Sequence, residues 1–139
     1  MADVFISSSM ETASEIARDI ADALQARGIS CWYAGKHEEI GEYAEAIVTA
    51  IENCRVFLLV MNRAAIRSFH VKTETAFAFR RLNNDENIIL VPFRVEDCSP
   101  TENKALDYYL ILQDIVDGCP PDAEHIQGLI HRLATALKV

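Results

Sequence analysis

Glu74 is the side chain best placed to do chemistry in this sequence. It stands six residues after Ser68, in Ser68-Phe69-His70-Val71-Lys72-Thr73-Glu74, just past the apolar run Val56–Met61. That order puts a carboxylate on the first turns of a helix that opens beside the end of a buried strand. In open parallel α/β sheets, ligands bind at the carboxyl ends of the strands. Glu74 lies three residues from Val71, about 60° from the helix's inner stripe, so it borders the core. A fixed anion in such a place steadies positive charge that develops on a bound molecule. The plainer reading is a solvated glutamate, or one paired with Lys72 or Arg67. His70 precedes Glu74 by one turn and is its neighbour. It is either a partner of the carboxylate or of a ligand ring, or an edge histidine. Ser68 reads as an N-cap, with room for a ligand hydroxyl contact at the same place.

Other polar groups converge on the same end of the sheet. Ser7, Ser8 and Ser9 follow the first strand and offer hydroxyls and amides where a helix begins, a setting that favours phosphate. No glycine-rich phosphate fingerprint accompanies them, so a capped polar turn is the competing reading. Gly35 and Lys36 place a cation near such a phosphate, or else Lys36 is simply solvated. Tyr33 ends the second strand, where it flanks a ligand base or packs. Phe77 and Phe79 read as core and interface residues. No Ser-His-Asp arrangement follows from the spacing.

Metal and redox chemistry find no support. The four cysteines, at 31, 54, 98 and 119, have neither metal-ligand nor redox spacing. They read as free thiols in a reducing cytosol. His125 and His131 are about 240° apart around a helix, so they do not form a metal pair.

Composition narrows the class. The 139 residues suffice for one domain, 1–139, with a single core. The net charge of −8 does not offer the basic footprint nucleic acid requires. Arg80-Arg81, the only adjacent basic pair, is expected to face solvent. The longest apolar run, Val56–Met61, is far short of a membrane span. Met1-Ala2-Asp3 lacks the flank of a signal peptide. The expectation is a cytoplasmic protein that binds neither membrane nor nucleic acid.

Short apolar strands alternate with amphipathic helices, the pattern of a parallel sheet. Strands are expected at 4–6, 29–33, 55–61, 88–95 and 110–116. Helices are expected at 12–27, at 69–82, at 122–137 and after Gly41, the second of these four carrying Val71, Ala78 and Leu82 inward. The helix after Gly41 is expected to bury Ala44, Ile47, Val48 and Ile51. Gly28 should end the first helix. Pro92 inside the fourth strand removes a donor and implies a bulge or an edge position. Together these predict a flavodoxin-like three-layer αβα sandwich with a five-stranded parallel sheet in the order 2-1-3-4-5. A crevice is then expected between strands one and three, where the order reverses. A receiver-like phosphorylation domain of similar fold is not supported. It would need acidic residues after strand one and an aspartate ending strand three, where Ser7 to Ser9 and Met61-Asn62 stand.

Four blocks resemble a Toll/interleukin-1 receptor (TIR) domain of the bacterial type. They are Asp3-Val4-Phe5-Ile6-Ser7; Gly28-Ile29-Ser30-Cys31-Trp32 with Gly41-Glu42-Tyr43-Ala44-Glu45-Ala46-Ile47; Ser68 through Glu74; and Ile89 through Asp97. Their order and spacing cover nearly the whole chain. The resemblance implies one of two classes. Some members cleave NAD at the nicotinamide–ribose bond, giving linear or cyclic ADP-ribose products; their catalytic glutamate falls at Glu74. NAD is then a substrate, no cofactor is needed, and Ser7, Ser8, Ser9, Tyr33, Gly35, Lys36, Ser68 and His70 are the candidate substrate contacts. Such activity would serve antiphage defence or nucleotide signalling. It would depend on assembly into a homo-oligomer or filament, with a fused or separate sensor or effector module. Other members are non-catalytic scaffolds that act through TIR–TIR contacts. The departures at Ser8, Ser9, Met10 and His70, the last where many members carry tryptophan, favour that alternative.

Overall fold

A computed structural model describes residues 2–9, 14–33, 43–84 and 86–139, with the backbone alone for Ser14 and Tyr43. Five strands form one parallel sheet: β1 (Val4–Ser7), β2 (Cys31–Tyr33), β3 (Val56–Met61), β4 (Ile89–Arg94) and β5 (Val116–Asp117). Their order is β2-β1-β3-β4-β5, as the alternating pattern predicts.

Strand alternation divides the core into two layers. Val4 and Ile6 on β1, with Val56, Leu58 and Val60 on β3, pack with α1 (Ser14–Ala26) and α6 (Ala123–Leu137). Phe5 on β1, with Phe57, Leu59 and Met61, faces the other way. That second layer meets α2 (Tyr43–Asn53), α3 (Arg63–Arg67), α4 (Phe69–Asn83) and α5 (Lys104–Leu110). Every residue of β3 is buried, because helices cover both faces of a central parallel strand. Burying each such large apolar side chain contributes about 1.5–3 kcal/mol.

Local chemistry sets the helix ends. Gly28, at φ 76°, lets the chain leave α1 in a left-handed turn, and the Ile29 amide donates to the Leu24 carbonyl at 3.0 Å. Asp122 caps α6, whose Ile126, Leu129, Ile130, Leu133 and Leu137 are buried as expected. Pro92 sits in register with Leu59 without a bulge. The amides of Ile89 and Val95 donate toward β3, so alternation turns the Pro92 nitrogen toward β5. β5 begins only opposite Phe93, so Pro92 occupies a local edge and no ladder bond is lost.

Four features depart from or add to the sequence expectations. The stretch 110–116 is not a strand. Asn103 caps α5 by accepting from the Leu106 amide at 3.1 Å, and the four-residue spacing of Leu106 and Leu110 buries one helical stripe. Only Val116 and Asp117 pair with β4. Second, a short helix, α3, precedes α4; Asn62 nucleates it by accepting from the Ala65 amide at 2.8 Å. Third, α2 buries Ile51 but leaves Ala44 exposed and Ile47 and Val48 half-buried, so its stripe meets the core only near its last turn. Fourth, Arg81 does not face solvent. Its Nη1 donates to the carbonyls of Ile51 (2.7 Å) and Cys54 (2.6 Å), closing the end of α2. Arg80 is exposed, as expected, and lies over the Phe77 ring.

Candidate functional site

Two elements distant in sequence meet at the carboxyl end of β1. Alternation along β1 puts Ser7 on the same face as Phe5, toward α4. Ser7 pairs in register with Leu59 and is 1% exposed. α4 is launched by Ser68, whose side chain accepts from the Val71 amide at 3.3 Å while its own amide closes α3 on the Ala65 carbonyl. The helix then buries Val71, Thr75 and Ala78. Glu74 lies three residues after Val71, about 60° around the helix from it and beside this buried stripe, so its side chain leaves the helix at the margin of the core rather than toward bulk water.

There Glu74 Oε1 accepts a hydrogen bond from Ser7 Oγ at 2.7 Å. The bond ties α4 to β1 across 67 residues of sequence. Among the described residues no cation pairs with Glu74, so neither Lys72 nor Arg67 neutralises it. Lys72 lies instead over the Phe69 ring. Burial therefore dominates the carboxyl's titration. Loss of water pushes its pKa up from 4.5 to about 7, and the Ser7 hydrogen bond offsets part of that rise. A carboxyl poised near neutrality at a strand end is a functional-site signature, since purely structural carboxylates are usually paired or solvated.

The remaining predicted residues are distributed around this pair. Ser8 is half-buried and Ser9 is 7% exposed, directly after Ser7. Ser68 takes its expected capping role at the entry to α4. His70 is exposed, edge-on to Phe69 with ring centroids 6.3 Å apart, and makes no hydrogen bond to Glu74. Tyr33 is in register with Ile6 and packs on the α1/α6 layer, on the opposite face of the sheet from Glu74. The aromatic on Glu74's face is Trp32, stacked on Phe5 at 4.9 Å between centroids, with Phe5 in turn stacked on Phe57 at 5.4 Å. Gly35 and Lys36 lie outside the described residues.

What sequence reasoning missed is the Ser7–Glu74 bond itself. Both residues were singled out, but for separate roles. The available signal was strand parity: Phe5 and Ser7 share a face, and the helix after β3 covers that face.

The family model for the TIR domain matches residues 4–130. The chain belongs to the TIR-domain family. This TIR domain superposes on the TIR domains of the activated Roq1 resistosome that recognises the pathogen effector XopQ. The TM-score is 0.77 at 16% identity, covering 96% of this chain and 99% of that one. It is similarly close to the TIR domain of the Toll-related receptor TRR-2 from Hydra magnipapillata, with a TM-score of 0.70, 17% identity, and 97% and 96% coverage. Against a metazoan TIR-STING receptor from C. gigas the TM-score is 0.70 at 23% identity, covering 96% of this chain but 40% of the receptor. No curated protein sequence matches the chain. No described helix is long and apolar enough to cross a membrane.

Proposed function

We propose that this TIR domain cleaves the nicotinamide–ribose bond of NAD, with Glu74 as the catalytic carboxylate. The observation that carries the reading is the inward placement of Glu74, bonded to the last residue of β1 and lacking a neutralising cation among the described residues. Membership of a family that includes NAD-cleaving enzymes supports it.

The chemistry suits a single carboxylate. Glycosidases commonly need a second group to protonate a poor leaving oxygen. In NAD the leaving group is already cationic. The C1′–N bond breaks with its electron pair going to nitrogen, nicotinamide departs neutral, and no proton is delivered. Positive charge then builds on the ribose ring. Glu74 stabilises it through its field and by accepting from ribose hydroxyls, in a site where burial strengthens both effects. Such a group contributes roughly 3 kcal/mol, on the order of a hundredfold in rate. Water, losing a proton, completes hydrolysis to linear ADP-ribose; attack by the adenine ring would give a cyclic product.

In this reading the substrate lies among the loops after β1, β2 and β3. Ser8 and Ser9 serve the phosphates with Gly35 and Lys36, and Ser68 and His70 border the nicotinamide end; Tyr33, on the opposite face of the sheet, takes no part. The product would act in cytoplasmic antiphage defence or nucleotide signalling, downstream of a sensor module and after self-assembly. The test is nicotinamide release from NAD, measured chromatographically on assembled protein. Wild type should release it and Glu74→Ala or Glu74→Gln should not, with the fold retained by circular dichroism. An undiminished rate in either variant refutes the assignment.

A second reading is a scaffold that acts only through TIR–TIR contacts. Tyr108, Ile111, Leu112 and Ile115 favour it, forming an exposed apolar strip along α5 and the segment after it. Assembled protein that leaves NAD intact would select this reading.

A further inference from the structure

Ser7 was expected among the groups that bind substrate, yet its hydroxyl has one proton to donate, and that proton goes to Glu74 Oε1 at 2.7 Å. The donor is rigidly held. Ser7 belongs to a strand paired on both sides, with β2 and with β3, and is 1% exposed. The acceptor sits on a longer lever, three side-chain torsions from the α4 backbone. The terminal torsion of a glutamate is broad, so an unrestrained carboxylate samples many orientations. Among the described residues, no hydrogen bond reaches Oε2.

We propose that Ser7 is a positioning residue for Glu74: its hydroxyl holds Oε1 against the end of β1, so that Oε2 is the oxygen presented to the ribose. The use of that oxygen rests on the proposed cleavage of NAD; the positioning itself does not. Ser7 acts in two linked ways. It removes rotational freedom from the carboxylate, so less entropy is lost when the transition state forms. It also donates to the ionised form, which opposes the protonation that burial favours. A residue that merely packed at this place would do neither.

The experiment uses the full chain as wild type, Ser7→Ala, Ser7→Thr and Glu74→Gln. Glutamate is labelled with carbon-13 at the side-chain carboxyl, and the Glu74 resonance is identified by its loss in Glu74→Gln. Ser7→Ala should raise the Glu74 titration midpoint by about one pH unit, while Ser7→Thr, which keeps a hydroxyl, stays near wild type. With NAD at pH 7, Ser7→Ala should lower kcat about tenfold and leave KM within about twofold, since the lost interaction acts on the transition state. Ser7→Thr should recover most of that kcat. A Glu74 midpoint that rises in Ser7→Ala while wild type releases no nicotinamide supports the positioning and overturns only its use on NAD. A Glu74 midpoint in Ser7→Ala equal to wild type overturns the proposal. So does an unchanged kcat in an active enzyme.

Discussion

Arg81 donates to the Cys54 carbonyl at 2.6 Å, and the same nitrogen reaches the Ile51 carbonyl at 2.7 Å. Both carbonyls belong to the end of α2, where helix geometry leaves acceptors without partners. A guanidinium from α4 satisfies them and adds a favourable charge at the negative pole of the helix. Glu86 in turn accepts from Arg81 Nε at 3.2 Å. Cys54, although beside Arg81, has its thiol pushed up to about 11, because burial outweighs the nearby positive charge. It is a packing residue and not a nucleophile.

Replacing Arg81 therefore strands buried carbonyls. Arg81→Ala should destabilise the fold by about 2–4 kcal/mol, since charge-assisted bonds are lost and acceptors are left unsatisfied. Arg81→Lys should recover only part of this, because one ammonium does not reproduce the fork. Urea denaturation followed by circular dichroism measures both. Equal midpoints for wild type and Arg81→Ala would remove this latch from the account.

The titration of Glu74 links the site to stability. Its folded pKa of about 7 is above the ordinary 4.5, so between those values the native state holds a proton the unfolded chain has released. Stability is then greatest below pH 4.5 as far as this group is concerned, and it declines as pH rises to about 7. The total change is at most about 3 kcal/mol. Glu74→Gln carries no such charge and should be more stable than wild type above pH 7, the two curves converging toward pH 5. Thermal melts across this range supply the check. Under the proposed chemistry the ionised carboxylate is the active form, so nicotinamide release should rise severalfold from pH 6 to 8. The active site would thus be a place where the fold gives up stability to keep a useful charge.

Gly118 fixes the end of the sheet. Its amide donates to the Arg94 carbonyl at 2.7 Å, and a methyl group on its α-carbon would collide with the buried Phe93 ring. Phe93 pairs with Val116 at the head of β5, so the ring has little room to retreat. Gly118→Ala should cost about 1–3 kcal/mol through overpacking. Adding Phe93→Leu should recover some of that loss, and a double-mutant cycle by thermal unfolding would expose the coupling.

These cases show which parts of the architecture could be read from the chain. The sheet order followed from alternating apolar runs, because β3 is buried on both faces and leaves one plausible centre. α4 was legible through the cap at Ser68, and both α4 and α6 through regular inner stripes. The region 99–117 was not. Tyr108 to Leu112 is rich in aromatic and branched side chains, which suits a strand, but Asn103 and the Leu106–Leu110 spacing decide for a helix. Arg81 was misplaced because its partners are carbonyls, and carbonyls leave no trace in residue identity. At the site, Glu74 and Ser7 stood out singly, whereas their bond required the register of β1 against α4. Tyr33 was selected by position along β2, and strand parity sent it to the opposite face.

The strip of Tyr108, Ile111, Leu112 and Ile115 bears on assembly. These side chains are 43–90% exposed, and Leu112 is the most open of them. Single exposed apolar residues are ordinary, but neighbours along one short segment form a patch that water does not favour. The proposed self-association would remove part of it from solvent. Concentrated wild-type protein should then sediment faster than dilute protein, and Ile111→Glu/Leu112→Glu should abolish the difference without lowering the melting temperature. At the sedimentation level a tenfold weaker association corresponds to about 1.4 kcal/mol, less than two buried aliphatic side chains typically contribute. If assembly also supports the proposed cleavage, nicotinamide release should fall in the same variant, and only at concentrations where wild type associates. Unaltered sedimentation would place the contact surface elsewhere on the domain.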